Sequence, residues 1–166
     1  MVTRPTALTK QHDVSQFDCG SQPMSDWLKK CALQSDLSGH TKTMVIADAG
    51  RVIGYYSFVV VSVDHGEATP ARVRKGLAKY SIPIFLITRL AVDRRYQGQR
   101  FGAGLLRHAL KRAAILALQH VPLRAVVVDA IDDGAKSFYR KFDFEPWPVD
   151  SFRMWVLLKD LIRSCR

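Results

Sequence analysis

Acidic side chains are scarce in this chain of 166 residues: 15 Asp and Glu face 25 Lys and Arg, leaving a formal charge of +10. Cysteine is scarcer, and Cys19, Cys31 and Cys165 are an odd number with none of the short paired spacing of zinc ribbons or redox motifs. They read as reduced structural thiols, not as a disulfide frame. The five histidines (His12, His40, His65, His108 and His120) form no HExxH pair or other ligand spacing, so no metal site is expected. The longest apolar runs, Phe58 to Val61 and Ala113 to Leu118, fall far short of the roughly 20 residues that a membrane-spanning helix needs. Met1 to Lys10 lacks the apolar stretch of a signal peptide, which makes a cytoplasmic protein without a membrane partner the expectation. Repeats, low-complexity tracts and linkers are also missing, and with 48% hydrophobic residues the chain reads as one domain over residues 1–166.

What the chain does have is concentrated positive charge. Between Pro70 and Arg112 stand 11 basic residues against the single acid Asp93, while the rest of the chain balances 14 basic with 14 acidic residues. Such a window concentrates polyanions, whether a phosphorylated cofactor or a nucleic acid. Charge alone fits a solvated, solubilising face equally well.

Hydrophobic spacing lays out the elements. Pro23 to Leu37 places Trp27, Leu28, Cys31 and Ala32 at helical intervals with Lys29 and Lys30 turned outward. Thr43 to Ala47 and Val52 to Ser62 read as a strand hairpin around Asp48-Ala49-Gly50-Arg51, followed by a basic, irregular stretch from His65 to Tyr80. The dense apolar run Ile82 to Val92 is expected as a central strand buried on both faces. Gly102 to Leu118 carries Leu105, Leu106, Ala109, Ala113 and Leu116 on one helical face. A valine-rich strand (Arg124 to Ala130), a short helix (Gly134 to Phe142) and a last strand (Arg153 to Leu158) complete the order. Hairpins first and alternating strands and helices afterwards predict an α/β fold with a mixed, partly parallel central sheet flanked by helices.

The loop Gln97-Gly98-Gln99-Arg100-Phe101-Gly102-Ala103-Gly104 joins the buried strand to a helix start, where unpaired backbone N–H groups and the helix dipole favour an anion. Glycines admit a phosphate close to the backbone, so a pyrophosphate is a natural guest. Two other glycine-rich readings fail on spacing: there is no GxxxxGKS/T, and Arg107 stands where a dinucleotide fingerprint has its third glycine.

Ile87 to Asp93, followed by Tyr96-Gln97-Gly98 and then Gly102, Leu105 and Leu106, resembles the acetyl-CoA-binding motif of the GNAT acetyltransferases. Ala135 to Phe144, a short helix with a tyrosine and then a phenylalanine, resembles that family's second signature. Phe17-Asp18-Cys19-Gly20, the Asp26 to Lys30 segment, Gly39 to Val45, Val52 to Tyr56 and Phe144-Glu145-Pro146 are similar to the GNAT toxins of bacterial type II toxin–antitoxin pairs. Read from Gln97, the frame that keeps the family's distance from Asp93, Arg100 stands where the central glycine is usual, and a guanidinium there can itself meet phosphate; read from Gln99, Gln99-Arg100-Phe101-Gly102-Ala103-Gly104 fits the pattern literally with its start displaced by two.

The resemblance implies acetyl-CoA as co-substrate in the splay between central strands. Leu90, Ala91 and Val92 would face the pantetheine arm, Gln97, Gly98, Gln99, Arg100, Phe101, Gly102, Ala103 and Gly104 would cradle the pyrophosphate, and Phe138 would add a cofactor contact. Tyr139 would be the acid that protonates the leaving thiolate, although the residues alone fit a core aromatic between Phe138 and Phe142 as readily. It further implies an aminoacyl-tRNA substrate, with Lys29, Lys30, Arg72, Arg74, Lys75, Lys79 and Arg89 as candidate tRNA contacts. A ribbon-helix-helix antitoxin and a homodimer are the implied protein partners. The missing base agrees with such a substrate. No acid stands out as one, and an α-amine of pKa about 7.7 to 8.0 is roughly one quarter neutral near pH 7.4, a lysine only about one part in a thousand. The competing readings are a housekeeping acetyltransferase for protein N-termini or small amines, and a noncatalytic nucleic-acid-binding relative.

Overall fold

Residues 1–164 are described by the computed structural model. Cys165 therefore lies outside the described residues, while Cys19 and Cys31 are free thiols. Two residues, Ala49 and Gly50, turn strand β2 (Lys42–Asp48) into β3 (Arg51–Val63) with φ of 52° and 82°. Positive φ at both positions gives the turn a hand that matches strand twist, and the pair lies antiparallel with a register shift at Ile46/Ala47. A two-residue strand, β1 (Thr6–Ala7), adds to the outer side of β2. The sheet has seven strands in the order β1-β2-β3-β4-β5-β7-β6, with β4 (Ile82–Val92), β5 (Ala125–Asp129), β6 (Glu145–Pro146) and β7 (Arg153–Leu157). β4 and β5 are parallel and the other recorded pairs antiparallel, so the sheet is mixed as the element order predicts.

Packing divides the chain into two compact units, Met1–Val59 with Thr88–Ala109, and Val60–Ile87 with Leu110 onward. In the first, helices α1 (Gln22–Lys30) and α2 (Ala32–Leu37) supply Met24, Leu28 and Ala32 to a core with Phe17, Val45, Tyr55 and Ala91. The spacing predicts one helix to Leu37; the chain instead kinks at Cys31 (φ −123°), and Leu28 and Ala32 on either side of the kink both stay in that core. On the other sheet face a side chain at Gly54 would come within 3.0 Å of Leu105 on helix α4 (Phe101–Gln119), so the close approach of strand and helix needs glycine there.

The second unit has its own core of Val73, Ile82, Ile84, Ala125, Val127, Trp147, Trp155 and Leu157. Within the stretch expected to be irregular, Ala71–Arg74 forms one helical turn, α3. α5 (Asp133–Arg140) starts at Asp132, whose carboxylate accepts the Ala135 N–H at 2.8 Å. The last strand ends one residue earlier than expected, because Leu158 opens a short helix, α6 (Leu158–Ser164). Among the described residues no helix is long and apolar enough to cross a membrane, and no group of three His, Cys, Asp or Glu is arranged to hold a metal ion.

Candidate active site and nucleic-acid interface

Directly after β4 stands Asp93, a carboxylate only 1% exposed. It accepts the N–H groups of Asp18 and Arg95 at 3.1 and 2.9 Å and pairs with the Arg95 guanidinium at 3.0 Å. Burial alone would raise its pKa, but the Arg95 bonds outweigh that and hold the carboxyl below the usual range. Asp93 is thus a structural anion that ties the loop before α1 to the 3-10 turn Arg94–Tyr96, with no free electron pair for a base to use.

The Gln97 side chain closes the same junction. Its amide donates to the Val92 carbonyl at 2.8 Å and to the Cys19 carbonyl at 3.1 Å. Gly98 follows with φ 78°, and Arg100 takes φ 68°, a left-handed backbone that glycine would adopt without strain. α4 begins directly after it, its first helical bond running from the Gly104 N–H to the Arg100 carbonyl at 3.1 Å. The N–H groups of Phe101, Gly102 and Ala103 consequently lack a carbonyl one turn earlier and point outward from the helix start. With the exposed Arg100 guanidinium beside them, these donors suit a diphosphate.

Tyr139 lies on α5 and is 4% exposed, its ring edge-on to Phe138 at 5.2 Å and tilted 59° to Phe144 at 5.6 Å. Burial, and secondarily the charge of Asp129, pushes its phenol well above the ordinary tyrosine value. Among the described residues nothing hydrogen-bonds the hydroxyl. The aromatic neighbours therefore fix a protonated phenol without consuming its donor. Phe138 is half-buried and packs between Tyr139 and Phe142, at 5.2 and 5.3 Å.

The candidate cations divide by their surroundings. Lys29, Lys75 and Lys79 are exposed, and Lys30 is exposed with a long pair to Asp26 at 3.8 Å. Next to Lys79, Tyr80 leaves 78% of its surface in solvent. Arg72 is already engaged, by Asp160 at 2.9 Å, Glu145 at 3.9 Å and the Trp155 ring at 5.8 Å. Arg74 donates to the Thr69 carbonyl at 3.1 Å. Arg89, a cation within an apolar strand, lies over the Trp27 ring at 4.1 Å.

Comparison with known proteins fits this arrangement. Residues 39–146 match the model of the acetyltransferase (GNAT) domain. The chain belongs to the GNAT acetyltransferase family. Among its relatives, a tRNA-acetylating toxin of Mycobacterium tuberculosis (strain ATCC 25618 / H37Rv) is 38% identical over 156 residues, 94% of this chain and 92% of that protein. The fold is shared with AtaT complexed with acetyl-methionyl-tRNAfMet, at TM-score 0.90 and 22% identity over 100% of both chains. It is shared too with the AtaT Y144F mutant toxin bound to the C-terminus of the antitoxin AtaR and acetyl-CoA, at TM-score 0.81, 23% identity, and 96% and 95% coverage.

Two residues of this GNAT chain escaped the sequence reading. Arg124 donates to the Val73, Arg72 and Lys75 carbonyls at 2.8, 3.3 and 2.9 Å, capping α3 and holding the basic segment in place. No local pattern announces a cap supplied from about 50 residues away. Helical spacing puts Trp27 with Leu28, Cys31 and Ala32, away from Lys29 and Lys30, yet it is half-exposed and carries Arg89. The signal available was Arg89 itself, a cation in an apolar strand that had to meet an aromatic or an anion.

Proposed function

We propose that this GNAT acetyltransferase moves the acetyl group of acetyl-CoA to the α-amine of an aminoacyl-tRNA, acting in the cytoplasm as a toxin that blocks translation. The leading support is the 38% identity, across nearly the whole chain, to a relative named as a tRNA-acetylating toxin. The chemistry of this chain's own residues agrees with it.

Acetyl-CoA supplies the acetyl group as an activated thioester. In the proposed arrangement the Leu90–Val92 backbone lies along the pantetheine arm, its Val92 carbonyl steadied by Gln97. The first N–H groups of α4 and the Arg100 guanidinium take the diphosphate, and Phe138 packs on the cofactor. Tyr139 holds a proton for the departing sulfur. The attacking amine releases one proton as the new amide forms, so proton count balances without a metal.

Two carboxylates bear on the question of a base. Asp93 is held by Arg95, and Asp129 by Arg153 at 2.8 and 3.1 Å. Both carboxylates are thus already paired with an arginine. An α-amine, with a pKa of about 7.7 to 8.0, needs no strong base near neutrality, whereas a lysine does. Exposed Lys29, Lys30, Lys75 and Lys79 offer phosphate contacts, and the exposed Tyr80 ring, next to Lys79 in the chain, offers stacking. The proposed protein partners are a ribbon-helix-helix antitoxin, with an acidic segment matched to this basic surface, and a second copy of the chain; residues 1–166 act as one domain.

Labelled acetyl-CoA, offered with charged tRNA, uncharged tRNA and a peptide with a free N-terminus, tests the proposal. Label on charged tRNA alone is the expected result; label on the peptide with charged tRNA unmodified overturns it. Expression should arrest growth, and Tyr139→Phe should relieve the arrest.

A further inference from the structure

The Arg89 guanidinium is held on a plate. Its Cζ lies 4.1 Å from the Trp27 ring centre, and Trp27 stacks on Tyr55 at 6.1 Å with 18° between planes. Tyr55 is fully buried, its hydroxyl donates to the Met24 carbonyl at 2.7 Å, and Phe17 meets its edge at 5.5 Å. Each layer is pinned by the next, so the outermost layer is oriented before any ligand arrives.

Stacking satisfies the face of a guanidinium but none of its five N–H donors. Among the described residues no carboxylate or carbonyl accepts from Arg89, which is half-buried in a strand between the buried residues Ile87 and Ala91. A cation placed so, with its donor edge unmatched, calls for an external anion. A planar fork suits the paired oxygens of a phosphate. Exposed Lys29 and Lys30, on the same helix as Trp27, add to the positive field.

We infer that Arg89 is a preformed receptor for a phosphodiester in the single-stranded 3′ tail of the charged tRNA, and that Trp27 is the positioning residue that aims it. The inference rests on the proposed substrate. Arg89 immediately precedes Leu90–Val92, and one strand residue spans about 3.3 Å, so a phosphate on it lies within a few residues' length of the acetyl donor. The amine to be acetylated is esterified to the terminal ribose, so the phosphates nearest to it are those of the last nucleotides. Coenzyme A is the other source of phosphate, and kinetics separates the two.

Steady-state acetylation of charged tRNA is measured over a series of KCl concentrations for wild type, R89A, R89K, W27F and W27A. R89A is expected to raise KM for charged tRNA roughly tenfold with kcat and the KM for acetyl-CoA little changed, and to flatten the slope of log kcat/KM against log salt by about 0.7 to 1. R89K should keep the salt slope and lose part of the affinity, since a point charge replaces the fork. W27F should behave nearly as wild type and W27A like R89A, because phenylalanine still offers a plate. An R89A variant with unchanged KM and salt slope for tRNA overturns the inference, and so does a rise in KM for acetyl-CoA instead. Should the wild type fail to acetylate charged tRNA, the functional reading falls, and fluorescence anisotropy with labelled tRNA judges the receptor by itself: weaker binding by R89A sustains it, equal binding ends it.

Discussion

The Asp93 carboxylate grips the Arg95 guanidinium through two bonds, Nε to Oδ1 at 3.0 Å and a terminal nitrogen to Oδ2 at 3.1 Å, while only 1% of Asp93 remains exposed. The same carboxylate takes backbone N–H groups from Asp18 and Arg95, so one side chain fixes two loops around the end of β4. Replacing it by alanine leaves those donors unmatched, and a loss of about 2 to 3 kcal/mol is expected in urea unfolding. Because its folded pKa is depressed, its contribution is present above the ordinary carboxylate value of about 3.9 and fades as pH falls through the folded value. Below pH 4 the wild type should lose stability more steeply than Asp93→Ala.

Gln97 acts on the proposed pantetheine strand through the Val92 carbonyl. Gln97→Ala should raise KM for acetyl-CoA on the order of tenfold with kcat little changed, the pattern of lost ground-state positioning. Gln97→Glu should be worse than alanine, since a carboxylate cannot donate to the Val92 and Cys19 carbonyls and is repelled by both.

Arg100 carries backbone strain and a candidate phosphate contact in one residue, and a single substitution separates them. Arg100→Gly relaxes the φ of 68° and should stabilise the fold by about 1 kcal/mol. If the guanidinium meets the diphosphate, the same change should weaken acetyl-CoA binding several-fold in calorimetric titration. A variant with higher Tm and unchanged affinity would remove Arg100 from the binding set.

Tyr139→Phe should lower kcat by roughly 10² to 10⁴ while leaving KM for acetyl-CoA nearly unchanged, as expected for lost proton donation. Burial raises the phenol's pKa in the folded protein, so the unfolded chain loses this proton first as pH rises past about 10. Stability should then fall with pH above 10, and less steeply in the phenylalanine variant. The activity profile should rise with the α-amine's deprotonation near pH 8 and show no falling limb from Tyr139 below pH 9.

Much of this was legible before the fold. The period of α4 and the hairpin around Ala49-Gly50 follow from local spacing and stand where spacing puts them; β4 has the bounds its apolar run predicts, but it is not buried on both faces, since only five of its eleven residues are buried and Thr88, Arg89 and Leu90 are partly exposed. Arg100 at a usual glycine position predicted a departure, and its left-handed φ shows the loop keeping the glycine conformation with another residue. The kink at Cys31, the cap of α3 by Arg124 and the engagement of Arg72 with Asp160 were not legible. Each depends on a neighbour remote in sequence, which periodicity does not encode. The family resemblance, with the basic window, likewise makes Arg72 and Arg74 candidates for tRNA; only tertiary structure shows that their guanidiniums already have partners.

The central claim is that an uncharged α-amine on tRNA receives the acetyl group. Mass spectrometry of the aminoacyl-adenosines released by nuclease digestion, after reaction with acetyl-CoA at pH 7.4, tests it most directly. An acetyl group is expected on the α-nitrogen of the terminal aminoacyl ester and none on free lysine side chains. Unmodified aminoacyl ester beside acetylated lysine in a protein substrate would contradict it.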